Sequence, residues 1–394
     1  MQRLTDTLLR PTWAEVDLDA IRHNVRHIIG LTDASVRLYA ALKGDAYGHG
    51  CVEVARAVIE SGAHGLALAN LYECVQIRES GLTAPILLYA GTPASLADVI
   101  IRNNITPTIT DLEYARSFSE RAPDGYPVFV KVDCGLERAG IYAEEARPII
   151  EAITHLPPLR VEGVYTHMHS GSGSDAYAHW QFSRFSALIE ELERAGIDIP
   201  VKLAASSPFV ATHPEMHLNA IDPGHLIYGI PLGKGSAQES VLRTALRALK
   251  SRIVQIRTAT ARERFAEEAP FEATNGQRFA VLPIGWGDGL HRAYGNGGPV
   301  LVRGKRTSVL GPVHYEHCRV DLTAIPEAET GDEVVFLGRQ GQAEIRTDEI
   351  ARLCDILPAQ VAGPLSKHLP VVYYSRDKPC AMTRPTRECA GQPL

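Results

Sequence analysis

This 394-residue sequence lacks the marks of several classes of protein. No apolar run approaches the roughly 20 residues that a membrane-spanning helix needs. The N-terminus has no apolar core followed by a small-residue cleavage site, so it does not indicate a secretory signal peptide. The seven cysteines are scattered and form no C-x-x-C pair, which argues against a disulfide framework. Lys and Arg number 40 against 46 Asp and Glu, so the basic face of a nucleic-acid-binding protein is not expected. We therefore expect a cytoplasmic enzyme that acts on a small molecule.

Between about residues 35 and 230, short apolar runs alternate with amphipathic stretches. The runs are VRLYAALK, HGLALAN, APILLYAG, ITPTIT, PVFVKVDCG, LRVEGVYTHM, PVKLAAS and LNAIDPGHLIYG. Continuous apolar strands separated by helices are typical of a parallel sheet that is buried on both faces. Eight such repeats predict a (β/α)8 TIM-type barrel. A doubly wound parallel sheet is the competing topology, and the pattern by itself leaves both open.

After about residue 240 the apolar runs become shorter and are interrupted by Gly and Asp, as in RFAVLPIG and DEVVFLGRQG. This pattern predicts a mostly antiparallel β domain. We predict a barrel domain over 1–240, a β domain over 241–380 and a loose tail over 381–394. Residues 1–12 could pack on the β domain instead of the barrel.

A lysine stands at the end of the first predicted strand, where the functional groups of a barrel are expected. Lys43 follows the run LYAAL and precedes GDAYGHG. A lysine in a low-dielectric position loses its proton easily and is the usual residue that forms a Schiff base. The alternative is a structural lysine whose ammonium reaches solvent beyond the strand end. Position alone does not decide between these two interpretations.

The segment KGDAYGHG resembles the cofactor-lysine signature of the alanine racemase family. Six further segments resemble that family in the same order along the chain: AEVDLDAIRHNV, VKVDCGLERAG, GVYTHMHSGSG, IDPGHLIYGIPL, VLPIGWGDGLHR and GPVHYEHCRVDLT. The sequence is therefore identified as a divergent member of the family, among the fold-type III enzymes. The resemblance implies a barrel followed by a β domain, pyridoxal 5'-phosphate as cofactor and an amino-acid substrate. It also implies a head-to-tail homodimer in which the partner's second domain completes each active site.

The resemblance assigns roles to the residues at matching positions. Lys43 would hold the cofactor aldehyde, and Lys131 would lie behind the arginine that meets the substrate. The remaining cofactor contacts would be Tyr47, Ser206, Gly224 and His225 at the phosphate, His167 beside the pyridine ring and Arg138 near the phenolic oxygen. For Lys131 and Arg138, an ordinary ion pair with Asp133 is the alternative.

Several positions depart from the family pattern. Asp222 stands where the family has an arginine at the pyridine nitrogen, and an aspartate would hold a proton there and make the ring a stronger electron sink. Phe271 takes the place of the catalytic tyrosine and cannot transfer a proton. Tyr315 and Glu316 replace the Met–Asp pair of the substrate pocket.

These departures leave three functions open. The first is an amino-acid racemase or epimerase with a different second base, such as Tyr315, Glu316, His317 or Cys318. The second is chemistry on the Lys43 face alone, namely decarboxylation, aldol cleavage or elimination on a D-configured amino acid. The third is a non-catalytic pyridoxal-phosphate-binding protein, which the second domain argues against. Residues 314–318 match no zinc pattern, so no metal is expected.

Overall fold

The computed structural model describes residues 8–169, 175–232, 240–260, 275–365 and 368–383. The chain divides into two compact units. The barrel unit comprises Ile21–Ala46 and Cys51–Arg243, and the β unit comprises Met1–Ala20, Tyr47–Gly50 and Thr244–Leu394.

The elements are numbered in chain order. The strands are β1 (Thr12–Asp17), β2 (Arg37–Ala41), β3 (Gly65–Leu68), β4 (Ile86–Leu88), β5 (Thr106–Ile109), β6 (Tyr126–Asp133), β7 (Ile141–Tyr142), β8 (Leu159–Tyr165), β9 (Val201–Ala205), β10 (Ala220–Ile221), β11 (Leu246–Arg252), β12 (Gln255–Thr258), β13 (Arg278–Leu282), β14 (Asn296–Val302), β15 (Lys305–Leu310), β16 (Cys318–Asp321), β17 (Glu333–Gln340), β18 (Ala343–Ile345), β19 (Val371–Ser375) and β20 (Lys378–Met382). The helices are α1 (Leu18–Ile29), α2 (Lys43–Gly48), α3 (Cys51–Glu60), α4 (Leu71–Glu79), α5 (Ala97–Arg102), α6 (Leu112–Ser119), α7 (Ala143–Thr154), α8 (Asp175–Arg194), α9 (Ser207–Thr212), α10 (Thr347–Cys354) and α11 (Ala359–Ala362).

The barrel unit contains a closed parallel sheet. Its strands follow the order β2, β3, β4, β5, β6, β8, β9 and β10, and β10 pairs in parallel with β2. The pairing of β5 with β6 completes the ring, and β7 adds to β6 outside it. Each predicted apolar run supplies one of the eight barrel strands. The (β/α)8 barrel is therefore confirmed, and the doubly wound sheet is excluded because a ring has no edge.

Side chains from most strands of the barrel form one buried core cluster. Tyr39, Phe129, Tyr165 and Leu203 belong to one buried core cluster. Gly163 makes room for this aromatic packing, since a Cβ atom there would lie 2.4 Å from the Phe129 ring. Large side chains on several strands thus pack against one another inside the ring.

The β unit is built on a mostly antiparallel sheet. Its strand order is β12, β13, β16, β15, β14, β17, β11, β1, β19 and β20, with β18 paired to β17. The exception is β1, which is antiparallel to β11 but parallel to β19. In β17 the five successive residues 334–338 are buried, whereas in β11 the buried residues Leu246, Ala248, Leu249 and Ser251 are interrupted by Arg247 and Lys250.

The structure moves two predicted boundaries. The strand β1 belongs to the β unit, so the barrel does not include all of 1–240. No change of composition separates β1 from the barrel sequence, and its partners lie more than 200 residues away along the chain. The strand β20 pairs with β19, so residues 381 and 382 are not part of a loose tail. Residues 384–394 lie outside the described residues. Within the described ranges, every helix is too short or too polar to cross a bilayer.

Candidate active site

The predicted site residues of the barrel unit lie at the carboxyl ends of its strands. Parallel strands bring these ends to one face of the barrel. The residues are Lys43 after β2, Lys131 and Asp133 at the end of β6, His167 after β8, Ser206 after β9, and Asp222 and His225 after β10.

Lys43 begins a turn with unusual backbone geometry. The five residues after it, through Gly48, all have φ between 53° and 82°, so the turn α2 is left-handed. A left-handed conformation costs a non-glycine residue about 1–2 kcal/mol. Two hydrogen bonds hold the turn. The N–H of Asp45 donates to Glu73 Oε1 at 2.9 Å, and the carboxylate of Asp45 accepts from the N–H of Cys51 at 2.8 Å. Such strain is typical of sites whose geometry the surroundings impose.

The Lys43 amine lies in a partly desolvated position. Its side chain is half-buried. Burial lowers its pKa, the charge of Asp222 opposes that change, and the charge of Arg138 adds to it. A lowered pKa increases the fraction of neutral amine, the form that attacks a carbonyl carbon or accepts a proton.

Asp222 is the most informative group of the site. It is 6% exposed, so it is not a solvent-facing turn residue. Its Oδ2 accepts a hydrogen bond from the Tyr89 hydroxyl at 2.7 Å. Its Oδ1 is buried and has no hydrogen-bond partner among the described residues. Burial raises the pKa of Asp222 to about 6, against the bond from Tyr89 and the charge of Lys43. A buried oxygen without a partner costs free energy, which a bound N–H donor would recover.

Lys131 does not form an ion pair with Asp133, which was the alternative to its functional role. The residue is 5% exposed, and its ammonium donates to the Val132 carbonyl at 3.1 Å and lies 4.9 Å from the centroid of the Tyr165 ring. Burial lowers its pKa to about 7. The Asp133 carboxylate instead accepts backbone N–H groups of residues 135–138, at 2.7 to 3.3 Å.

His167 is a neutral ring under ordinary conditions. Its side chain is half-buried, and burial together with the charges of Lys131 and Arg138 lowers its pKa to about 3. Arg138 is exposed. A neutral imidazole suits contact with an aromatic ring, whereas an exposed guanidinium suits recognition of a carboxylate.

The predicted phosphate contacts are changed by a residue that the sequence analysis missed. Ser207 Oγ accepts the N–H groups of Gly224 at 2.8 Å and Leu226 at 3.3 Å. The Gly224 N–H is therefore engaged within the chain. Ser206 precedes α9 and makes no side-chain capping bond. The phosphate contacts of Ser206, Gly224 and His225 stay predictions. The second serine of the sequence SSP was the available signal.

The other predicted residues belong to the β unit or to the undescribed segments. Tyr47 is half-buried and clusters with the β unit. Tyr315 is 59% exposed, and its ring meets that of Trp286 edge-on with centroids 4.4 Å apart. Glu316 is exposed, whereas Phe271 lies outside the described residues.

Cys318 can be removed from the candidates for a second base. It is fully buried in β16. Burial raises the pKa of its thiol, which stays protonated at neutral pH. Tyr315, Glu316 and His317 are exposed and remain candidates.

A parallel barrel with a half-buried lysine at one strand end and a half-satisfied carboxylate at another defines the class of the protein. It is a pyridoxal-phosphate-dependent enzyme, an isomerase of the racemase type. Family models of the alanine racemase N-terminal and C-terminal domains match residues 16–231 and 246–373. The chain belongs to the alanine racemase family.

Relatives and solved structures agree with this assignment. The chain is 33% identical to the alanine racemase of Methanococcus maripaludis over 92% of its own length and 98% of the relative. It is 36% identical to that of Desulfosudis oleivorans, over 92% and 96%. A solved alanine racemase from Clostridium difficile is 28% identical, with a TM-score of 0.87 over 95% of this chain and 99% of that one.

Proposed function

We propose that this enzyme transfers the α-proton of an amino acid at Lys43 and that its reaction is altered from simple alanine racemisation. The observation that carries the proposal is Asp222, which is buried and offers one unsatisfied oxygen where the family has arginine. Asp222 replaces a cationic arginine of the family by an acid, and Phe271 replaces a phenol by an unreactive ring. Both replacements change the chemical type of the side chain.

The residues of the site fit pyridoxal phosphate. Lys43 would hold its aldehyde, Tyr47, Ser206 and His225 its phosphate, and His167 and Arg138 the ring and its oxygen. When bound, the cofactor supplies a conjugated ring that withdraws electrons from the substrate α-carbon. The unsatisfied Oδ1 of Asp222 suits an N–H donor such as a protonated pyridine nitrogen.

Lys43 is the group that would move the proton. Its lowered pKa gives Nζ a neutral form that accepts a proton and a charged form that returns it. Lys131 donates to the Val132 carbonyl and lies against the Tyr165 ring, so its ammonium is already engaged and is a poorer candidate for proton transfer than Lys43. One base acts on one face of a planar carbon, whereas racemisation requires a donor on the other face as well.

The Asp222 carboxylate favours a second candidate function, chemistry on the Lys43 face alone. A carboxylate at the ring nitrogen strengthens the electron sink, which decarboxylation, aldol cleavage and elimination use. We infer that such an enzyme would act on D-configured amino acids.

Proton NMR in D2O distinguishes the two functions. The holoenzyme is incubated with single L- and D-amino acids, and the α-proton signal and the product enantiomer are followed. Loss of the α-proton with appearance of the opposite enantiomer supports racemisation. Consumption of the D-enantiomer alone, with carbon dioxide, an aldehyde or a keto acid as product, supports one-face chemistry. The matched control is Lys43→Ala, which should abolish both, and no exchange with any amino acid would refute the proposal.

We also propose a head-to-tail homodimer whose active sites combine residues of two chains. Tyr315 and Trp286 present exposed aromatic surface, at 59% and 43%, and Glu316 beside them is exposed. Aromatic side chains with exposed polar neighbours are typical of protein interfaces. The partner's copies of these residues would then supply the side chains opposite Lys43.

A further inference from the structure

Three side chains that can bind a metal meet in the barrel unit, and the proposed reaction uses none of them. His179 lies in α8, while His213 and Glu215 flank Pro214 after α9. One ligand atom of each lies within 4.8 Å of the other two. The centroids of the two imidazole rings are 5.1 Å apart. Two imidazoles and a carboxylate from separate elements therefore converge on one point.

The chain fixes the orientation of one of these imidazoles. The Thr212 hydroxyl donates to the Pro208 carbonyl at 2.8 Å, and its oxygen lies 2.6 Å from His213 Nδ1. Because a hydroxyl has a single hydrogen, Nδ1 must be the donor to Thr212. The lone pair of the neutral ring is then on Nε2. Metal-binding histidines show this arrangement, in which a hydrogen bond at one nitrogen directs the other toward the ion.

A second carboxylate, Asp175, lies near one of these three side chains. Asp175 Oδ2 is 3.8 Å from His213 Nε2. Asp175 and His179 are four residues apart in α8, so their side chains share one face of the helix. Two imidazoles and two carboxylates are a donor set that zinc accepts in tetrahedral geometry. Magnesium prefers oxygen ligands alone, so it should not compete here.

Small side-chain rotations can close the site around an ion. Donor atoms around a tetrahedral zinc ion are about 3.4 Å apart, somewhat less than the spacing here. His179 and Glu215 are exposed and have room to rotate. His213 is held in place by Thr212 and by its own N–H, which donates to the Phe209 carbonyl at 2.8 Å.

We propose that the barrel unit binds one zinc ion at two histidines and two carboxylates, namely Asp175, His179, His213 and Glu215. The ion would tie the first turn of α8 to the segment after α9. That segment follows Ser206 and Ser207, so the zinc site braces the part of the barrel that carries the predicted phosphate contact.

Isothermal titration of zinc chloride into the chelator-dialysed holoenzyme tests the proposal. The wild type should bind one ion per chain with saturation. His179→Ala and His213→Ala should each weaken the affinity at least about tenfold, since each removes one ligand. His155→Ala is the matched control, because His155 is an exposed histidine at the end of α7, and it should bind as the wild type does. Magnesium chloride should give no saturable heat.

Two further measurements distinguish loss of zinc binding from misfolding of a variant. Zinc should raise the melting temperature of the wild type but not of His179→Ala, whose exposed side chain can be removed without opening the core. Cobalt should give the visible absorption bands of a tetrahedral site in the wild type and lose them in His213→Ala. Absence of saturable zinc binding, wild-type zinc affinity in His179→Ala and His213→Ala, or a loss of affinity in His155→Ala as large as theirs would each overturn the proposal.

Discussion

Replacing Asp222 by Asn tests the burial of this carboxylate through the pH dependence of stability. Burial raises the pKa of Asp222 from 3.8 to about 6 in the folded protein. Each unit of pKa corresponds to about 1.4 kcal/mol, so the folded state resists ionisation by about 3 kcal/mol. The side chain is 6% exposed, so solvent screening reduces this figure little.

The sign of the effect follows from which state releases its proton first. With the folded pKa raised, the unfolded chain ionises first as pH rises above about 4, and wild-type stability falls until about pH 6. Asparagine does not titrate, so Asp222→Asn lacks this loss. The free energy of unfolding of the wild type minus that of the variant should therefore drop by about 2.4 kcal/mol between pH 4 and pH 7, because part of the full effect of about 3 kcal/mol has already occurred at pH 4. Any constant cost of the buried amide cancels in this comparison.

The assay is urea unfolding of both cofactor-free proteins, followed by circular dichroism at several pH values. Asp133→Asn is a control of opposite sign, because backbone N–H groups lower the pKa of Asp133 although burial opposes them. The stability advantage of the wild type over Asp133→Asn should therefore be lost as pH falls through the lowered pKa of Asp133. It should not be lost as pH rises. A difference for Asp222→Asn that stays flat between pH 4 and 7, or rises, would show that the folded state does not raise the pKa of Asp222.

Two other predictions address the partners of the site. Tyr89→Phe removes the donor to Asp222 Oδ2, so the free energy of unfolding in urea should fall by about 1–3 kcal/mol at pH 7. The loss should be smaller at pH 4, where the Asp222 carboxyl is neutral. An equal loss at both pH values would indicate that the Tyr89 hydroxyl acts through packing instead. If the partner's Tyr315 completes each site, Lys43→Ala and Tyr315→Ala should each lack racemisation, and mixing them should restore about a quarter of wild-type racemisation by NMR, because half of the dimers would be mixed and each would carry one intact site. No recovery after verified subunit exchange would contradict sites shared between chains.

The fold could be predicted in large part because its signals are local. Each barrel strand is a continuous apolar run, and the helices between them show their own spacing, as in α8, which ends at Arg194 just before Gly196. The family segments, including the one around Lys43, also lie in uninterrupted stretches of sequence. What failed was the assignment of β1, whose partners β11 and β19 are distant along the chain.

The candidate site was predicted by residue identity but not by environment. The sequence pointed to Asp222, yet only the structure shows that Tyr89 holds one of its oxygens and that the other is buried without a partner. The same is true of Ser207, whose hydroxyl engages the Gly224 N–H. Residues 89 and 207 come from other strand ends, and no local pattern relates them to their partners.

Periodicity and side-chain type were sufficient to predict the barrel strands, their order and the residue types at their ends. Those properties depend on periodicity and side-chain chemistry within a few residues. The tertiary structure alone decided that the sheet closes, that β1 joins the second unit and that the turn after Lys43 is left-handed. It also decided the protonation tendencies of Lys43, Lys131 and Asp222, because desolvation and neighbouring charges arise only when distant segments of the chain come together.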